Sequence, residues 1–157
     1  MKYLMFILSF ALLLGCVQDS GSMESSTEQS DDKEADAMMA EGIPYVPYTE
    51  AAYMDARSEG KVIFLEFYAN WCPICASQEV EIKDALSSLD YSDVAAFRVN
   101  YKDSDTDNDE KDLAREFGII IQHTHVLLGA DGKLIKKSSE VWDKDTIVSE
   151  IESARGG

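Results

Sequence analysis

The sequence predicts an α/β fold in which a central mixed sheet, built from a βαβ unit and a ββα unit, carries helices on both faces. The run 62–69 is almost continuously apolar, as expected of a parallel strand buried on both faces. The next segment repeats its apolar residues at helical spacing to about Leu89. Later, the turn 130–133 separates two short strand patterns, which indicates an antiparallel hairpin. A right-handed crossover followed by this hairpin and a closing helix gives one covered sheet.

The first half of the predicted domain contains a lead-in, two helices and a strand. Two prolines within 43–48 favour an extended lead-in over a central strand. Thr49 is a suitable N-cap for a helix over 50–58. After the strand at 62–69, Pro73 starts the second helix, where its missing N–H costs nothing. The residues of this helix that are predicted to face the core are Val80, Ile82, Ala85, Leu86 and Leu89.

The second half of the domain completes the sheet. Its predicted elements are a strand over 94–101, a helix over about 110–117, strands over 124–128 and 134–137, and a helix from Asp143 or Lys144 to Ala154. The last helix is amphipathic and presents Ile147, Val148 and Ile151 on its apolar face. Each helix can therefore cover part of one face of the sheet.

The N-terminal segment has the pattern of an export signal. Residues 4–14 are apolar and uncharged, too few to cross a bilayer as a helix but suited to the apolar region of a signal peptide. The sequence 13–16, Leu-Leu-Gly-Cys, resembles a bacterial lipobox, which implies cleavage before Cys16 and lipid modification of that cysteine. Residues 1–15 are therefore predicted to be a lipoprotein-type signal peptide, with a plain secretion signal or an uncleaved anchor as alternatives.

Residues 16–42 are predicted to form an acidic, disordered tether. From Val17 onward, eight carboxylates stand against Lys33 alone, and no apolar period is visible. Such a segment cannot bury enough surface to offset the entropy lost on ordering. With Cys16 lipidated, we expect the folded domain to lie on the extracytoplasmic face of the cell membrane, with a secreted or periplasmic location as the alternative.

Charge and cysteine content limit the classes of function. The formal net charge of −16 weighs against binding to nucleic acid or to anionic lipid surfaces. The three cysteines divide into one anchor, Cys16, and one pair, Cys72 and Cys75. An extracytoplasmic location permits a stable disulfide in that pair. No cysteine is left over for a structural disulfide.

The segment Trp71-Cys72-Pro73-Ile74-Cys75 carries the most specific chemistry in the sequence. It follows the predicted central strand and begins a helix. Unpaired N–H groups at a helix N-terminus favour a thiolate and lower the pKa of the cysteine placed there. Cys75 lies about one helical turn further on, within reach of a mixed disulfide on Cys72. The pair therefore predicts a disulfide that closes and reopens.

The run 67–75, Phe-Tyr-Ala-Asn-Trp-Cys-Pro-Ile-Cys, and the order of elements resemble a thioredoxin-fold domain of the secreted or membrane-tethered kind. The resemblance implies a three-layer thioredoxin-like domain over 43–157, with Cys72 as nucleophile, Cys75 as resolving thiol and Trp71 beside the disulfide. It implies a protein-disulfide oxidoreductase that acts on protein dithiols and disulfides with a redox partner protein. We expect a monomer, no cofactor beyond the redox-active Cys72–Cys75 disulfide, and a slight preference for reduction.

Glu66 is the carboxyl group on the apolar central strand, and it matches the position of the family's buried acid. Burial would raise its pKa. The group could then relay a proton to or from Cys75 as a mixed disulfide resolves. Alternatively, Glu66 pairs with Arg98, which matches the family's basic residue on the next strand. The two interpretations are compatible, and both stay open.

His123 lies where the family usually has a cis-proline. Because a non-proline cis bond costs about 2.5–4 kcal/mol, the Gln122–His123 bond is predicted to be trans. Three interpretations of His123 stay open: it tunes the Cys72 thiolate, it joins Cys72 and Cys75 in the soft-metal site of a metal-binding or metal-delivery module, or it is structural. We expect His125 to be a partly buried structural residue.

Overall fold

The computed structural model describes residues 42–156. The signal peptide, the lipidation site Cys16 and the tether up to residue 41 lie outside the described residues. The elements are β1 (Tyr45–Pro47), α1 (Glu50–Ser58), β2 (Val62–Tyr68), α2 (Pro73–Ser87), β3 (Val94–Asn100), α3 (Asn108–Glu116), β4 (Thr124–Leu128), β5 (Leu134–Ser138) and α4 (Lys144–Arg155). None of these helices has both the length and the apolar character needed to span a bilayer.

The five strands form one mixed sheet in the order β1-β3-β2-β4-β5. β2 is central, with β3 parallel to it on one side and β4 antiparallel on the other. β5 pairs antiparallel with β4, so the predicted hairpin is confirmed. The extended lead-in contributes the short strand β1, which pairs with β3 at the edge of the sheet. An edge position suits Pro47, because a proline cannot donate to a second neighbouring strand.

Successive side chains of β2 point to opposite faces of the sheet, so the hydrophobic core is divided between the two faces. Phe64 packs with residues of α2 and α4 on one face. Ile63, Leu65 and Phe67 pack with residues of α1 and α3 on the other face. All four side chains are fully buried. Burial of each such side chain contributes roughly 1.5–3 kcal/mol, so β2 is the main apolar link between the two helical layers.

Local capping explains where the helices begin. The Thr49 side chain accepts a hydrogen bond from the Ala52 N–H at 3.2 Å, as predicted for the start of α1. The helix α3 begins two residues earlier than predicted. Asp107 and Glu110 form a reciprocal capping box there, which satisfies both the N-cap and the N3 backbone N–H groups. Asp143 caps α4 in the same position that the sequence predicts.

The prediction that Val80 faces the core is wrong, since its side chain is 57% exposed. Gln78 occupies the inward position instead and is almost fully buried. Its side-chain amide donates to the Trp142 carbonyl at 2.5 Å and accepts from the Trp142 N–H at 2.9 Å. A buried amide with both partners satisfied is compatible with a core position, so the inward stripe of α2 includes a polar residue.

Candidate active site

The Cys72–Cys75 pair lies at the carboxyl end of β2 and at the start of α2, and the two residues form a disulfide. Cys72 is the N-cap of α2, and its Sγ accepts a hydrogen bond from the Cys75 N–H at 3.1 Å. Cys72 is 4% exposed and Cys75 is fully buried. A helix N-terminus that donates to Sγ stabilises a thiolate at Cys72 once the disulfide is reduced.

Exposed apolar side chains lie within the cysteine motif and in the segment that leads to His123. Trp71 is 57% exposed, and its indole N–H donates to the Lys102 carbonyl at 3.1 Å. Ile74 and Ile121 are also exposed, the first within the motif and the second just before His123. This apolar rim can pack against a polypeptide that approaches Cys72.

Asn70 fixes the turn that precedes the cysteines. Its backbone N–H donates to an Asp103 carboxylate oxygen at 2.9 Å, and its side-chain amide donates to the Ser104 hydroxyl at 3.0 Å. Asp103 in turn accepts from the N–H of Asp105. The acidic loop after β3 thereby supports the active-site turn, a role that the sequence pattern did not indicate.

Glu66 is fully buried on β2, six residues before Cys72 in the chain. Its Oε2 accepts a hydrogen bond from the Tyr45 hydroxyl at 3.3 Å, and its Oε1 has no partner within residues 42–156. Burial raises the pKa of Glu66 to about 8, and the hydrogen bond from Tyr45 partly opposes this shift. The carboxyl group therefore holds its proton over most of the neutral pH range.

Arg98 is the neighbour of Glu66 across the parallel β2–β3 pair, but it does not form the proposed ion pair with it. Its guanidinium instead contacts the Glu79 carboxylate at 3.2 Å and lies over the Tyr68 ring. Sequence reasoning missed both Tyr45 and Glu79 as neighbours of Glu66. No local signal identifies them, because Tyr45 reaches this region only through the pairing of β1 with β3, and Glu79 only through the packing of α2.

His123 sits at the entrance to β4 with a left-handed backbone, φ 53°. The Gln122–His123 bond is trans, as predicted, since residues 42–156 contain no cis peptide bond. The His123 N–H donates to the Phe67 carbonyl at 2.7 Å, a bond that proline could not make. Its Nδ1 is buried and has no hydrogen-bond partner in the described part of the chain.

The structure brings His123 together with both cysteines. One ligand atom from each of Cys72, Cys75 and His123 lies within 4.8 Å of the other two. Thiolate sulfur and imidazole nitrogen are the donors that zinc and copper(I) prefer in proteins. The residues present are therefore chemically suited to a soft metal ion when the disulfide is reduced.

His125 is fully buried rather than partly buried. Its ring stacks on Phe64 at 5.7 Å and on Trp142 at 4.6 Å between centroids, so Trp142 covers it from the side of α4. It lies opposite Glu66 in the β2–β4 register. Burial lowers the pKa of His125 to about 4, so the imidazole is uncharged at neutral pH and packs as part of the core.

Comparison with known proteins agrees with this geometry. A family model described as Thioredoxin matches residues 45–153. Among solved structures, Trxlp from Edwardsiella tarda EIB202 has a TM-score of 0.58 at 25% identity, over 69% of this chain and 98% of that chain. A point mutant of thioredoxin from Halobacterium salinarum NRC-1 has a TM-score of 0.53 at 26% identity, over 73% of this chain and 92% of its own.

Thioredoxin f from spinach chloroplast, in its long form, shares the fold at 18% identity and a TM-score of 0.58, over 74% of this chain and 90% of that chain. No curated protein matches the chain. The predicted α/β thioredoxin-like fold is confirmed by the mixed sheet and by these matches. The chain belongs to the thioredoxin family and, with its Cys72–Cys75 pair, is a thiol–disulfide oxidoreductase.

Proposed function

We propose that this protein exchanges disulfides with protein substrates from a lipid anchor on the extracytoplasmic face of a cell membrane. The observation that carries the catalytic part is the position of the Cys72 sulfur, at a helix N-terminus and among exposed apolar side chains. The membrane part rests on the lipobox resemblance at Cys16 and on the acidic segment that follows it. Reduction of substrate disulfides is the direction we favour.

In the reducing direction, the Cys72 thiolate attacks one sulfur of a substrate disulfide. The substrate S–S bond breaks, a mixed disulfide with Cys72 forms, and the leaving substrate thiolate takes up a proton. The Cys75 thiol then loses its proton, and its thiolate attacks the Sγ of Cys72. This step releases the second substrate thiolate, which is protonated, and forms the Cys72–Cys75 disulfide. Two electrons have then passed from the protein to the substrate, and of the two protons that the substrate thiolates take up, one corresponds to the proton lost by Cys75 and the other comes from solvent.

The second step requires a base near Cys75. Because Cys75 is fully buried, its proton has no direct route to bulk water. Glu66 lies on the strand that leads into the active-site turn, on the face of the sheet that α2 covers. A carboxyl group with a pKa of about 8 can accept and return a proton near neutral pH. We assign it the relay between Cys75 and solvent.

The oxidised pair must be reduced again to complete a cycle. A dithiol on a partner protein can supply the two electrons by the same exchange in reverse. An equilibrium measurement against glutathione tests the direction. A potential of about −270 mV fits a reductant, whereas one of about −120 mV fits an oxidant and would reverse the direction proposed here.

Insulin reduction by the full chain, with dithiothreitol as electron source, tests the catalytic proposal. We expect activity in the parent protein and its loss in Cys72→Ser. Cys75→Ser should accumulate a mixed disulfide with the substrate, because the resolving thiol is missing. Cys16→Ser is the matched control, since it removes a cysteine without altering the pair. Equal rates in the parent and Cys72→Ser would refute the assignment.

A separate experiment tests the anchor. Cells that express the protein would be labelled with a radioactive fatty acid and then fractionated. We expect the label and the membrane location to be lost together in Cys16→Ser, while the insulin-reducing activity stays. A Cys16→Ser protein that still fractionates with the membrane, or a parent protein without label, would contradict lipidation at Cys16.

A further inference from the structure

His123 places an imidazole beside the disulfide, and the disulfide-exchange mechanism above does not use it. Its ligand atom and those of Cys72 and Cys75 lie within 4.8 Å of one another. The His123 Nδ1 is buried without a hydrogen-bond partner within residues 42–156. His123 thus combines an unpartnered buried nitrogen with a ligand atom close to two sulfurs, and neither property has an assigned function.

The backbone holds this imidazole in place. The His123 N–H donates to the Phe67 carbonyl at 2.7 Å, at the end of β2, and His123 has a positive φ of 53°. Cys72 is held by the first turn of α2, through the hydrogen bond from the Cys75 N–H. The donors therefore lie in two segments that backbone hydrogen bonds hold, the start of α2 and the bend before β4, so a ligand that joins them has less chain entropy to overcome.

We propose that the reduced form of this site binds one Zn²⁺ ion through Cys72, Cys75 and His123, and that the ion holds the protein in its reduced form. In the oxidised form the two sulfurs are bonded to each other and cannot act as thiolate ligands. Reduction adds two electrons and two protons and breaks the S–S bond. Zinc then displaces the two thiol protons and forms two Zn–S bonds and one Zn–N bond.

The geometry suits zinc. Zn–S bonds of about 2.3 Å and Zn–N bonds of about 2.0–2.1 Å place tetrahedral donors roughly 3.4–3.8 Å apart. The observed 4.8 Å limit is about 1 Å wider, which side-chain adjustment can close. Three protein ligands leave the fourth position open to water or another ligand. The strongly acidic chain also attracts cations to its surface.

Binding to one redox state alone shifts the redox equilibrium. Zinc present at about 100 times its dissociation constant should raise the ratio of reduced to oxidised protein about 100-fold. The same ion should stop disulfide exchange, because both sulfurs are occupied. Zinc binding by the reduced cysteine pair does not depend on the proposed function. Only the consequence, that zinc regulates disulfide exchange, rests on it.

Titration of the full chain with ZnCl₂ in detergent, without air, tests the inference. The protein would carry Cys16→Ser to remove the third thiol, and a phosphine reductant would open the disulfide. We expect one zinc ion per reduced chain with a submicromolar dissociation constant, and no binding by the oxidised chain. Cobalt substitution supplies an independent readout, since thiolate ligation gives an intense charge-transfer absorption.

Two histidine variants complete the test. His123→Asn keeps the backbone N–H, and asparagine tolerates a positive φ. Because the substitution removes the imidazole, zinc affinity should fall at least 10-fold. His125→Leu removes the other imidazole and should leave the affinity unchanged. Equal affinities in the parent and His123→Asn, or zinc binding by the oxidised chain, would overturn the inference. Zinc binding without insulin reduction would refute the proposed function while leaving this inference standing.

Discussion

The hydroxyl group of Tyr45 donates a hydrogen bond to the buried carboxyl group of Glu66 at 3.3 Å. Tyr45 belongs to the edge strand β1, whereas Glu66 belongs to the central strand β2. This contact lowers the pKa of Glu66, and burial raises it by more, with a net value of about 8. Two strands that β3 separates in the sheet therefore set the pKa of the carboxyl group proposed to serve Cys75.

Tyr45→Phe should move the pH dependence of disulfide exchange to higher pH. The substitution removes the hydrogen bond that favours the carboxylate of Glu66, so the pKa of Glu66 should rise above about 8. The rate of mixed-disulfide resolution, followed by stopped-flow tryptophan fluorescence across neutral and alkaline pH, measures this shift. Val46→Ala on the same strand is the control. An unchanged profile in Tyr45→Phe would separate this contact from the proton transfer.

Glu66→Gln should slow the resolution of the mixed disulfide by about 100-fold or more, since a positioned general base contributes that order of rate. Glutamine keeps the shape of the side chain and its ability to accept from Tyr45, so folding should be largely retained. Rapid-quench trapping of the Cys72 adduct measures the step directly. If the adduct decays at the parent rate throughout the neutral range, Glu66 has no part in the transfer.

The same variant should change how stability depends on pH. In the unfolded chain Glu66 ionises near 4.5, whereas in the folded protein it ionises near 8. Between these values the folded state holds the extra proton, so its stability falls as pH rises and levels off above about 8. The parent protein should therefore lose stability between about pH 5 and about pH 8.5, and urea unfolding should show that Glu66→Gln loses less, by roughly 3–4 kcal/mol. Equal losses in both proteins would contradict the raised pKa.

Local rules predicted the elements well because their signals are contained in short segments. Thr49 and Asp143 cap the helices assigned to them, and the apolar run 62–69 forms β2 almost to its last residue. The position of the cysteines followed from the same logic, since Pro73 at the first turn of a helix follows the strand directly. These features depend on backbone chemistry within a few residues.

Tertiary partners explain what the sequence did not predict. Gln78 replaces Val80 on the buried stripe because Trp142, which lies beyond the hairpin, satisfies both ends of its amide. Trp142 also stacks on His125, which is fully buried. The neighbours of Glu66 come from β1 and α2, where Tyr45 and Glu79 lie. No spacing rule within one segment identifies such contacts.

Trp142→Ala should destabilise the protein by about 3–5 kcal/mol. The indole is almost fully buried, stacks on His125 and packs in the core formed with α2 and α4. Its removal leaves a cavity that the surrounding side chains fill only in part. Val141→Ala is the matched control, because Val141 is adjacent to Trp142 in the chain but its side chain is mostly exposed. Truncation of Val141 should lower the free energy of unfolding by less than about 0.5 kcal/mol. Chemical denaturation of both variants decides the comparison.

His123→Pro should destabilise the protein, although proline is the residue that the family usually has at this place. Proline cannot adopt the φ of 53°, because its ring holds φ at about −65°, and the hydrogen bond to the Phe67 carbonyl would be lost. We expect a loss of about 2–3 kcal/mol in urea unfolding.

His123→Gly is the matched control for that substitution. Glycine adopts a positive φ without strain and keeps the N–H, so its stability should stay close to that of the parent. If His123→Pro is as stable as His123→Gly, the segment before β4 rearranges at little cost, and His123 does not determine its backbone. If only the proline variant is destabilised, the left-handed backbone is built into this chain, and the imidazole beside Cys72 is a fixed part of its active site.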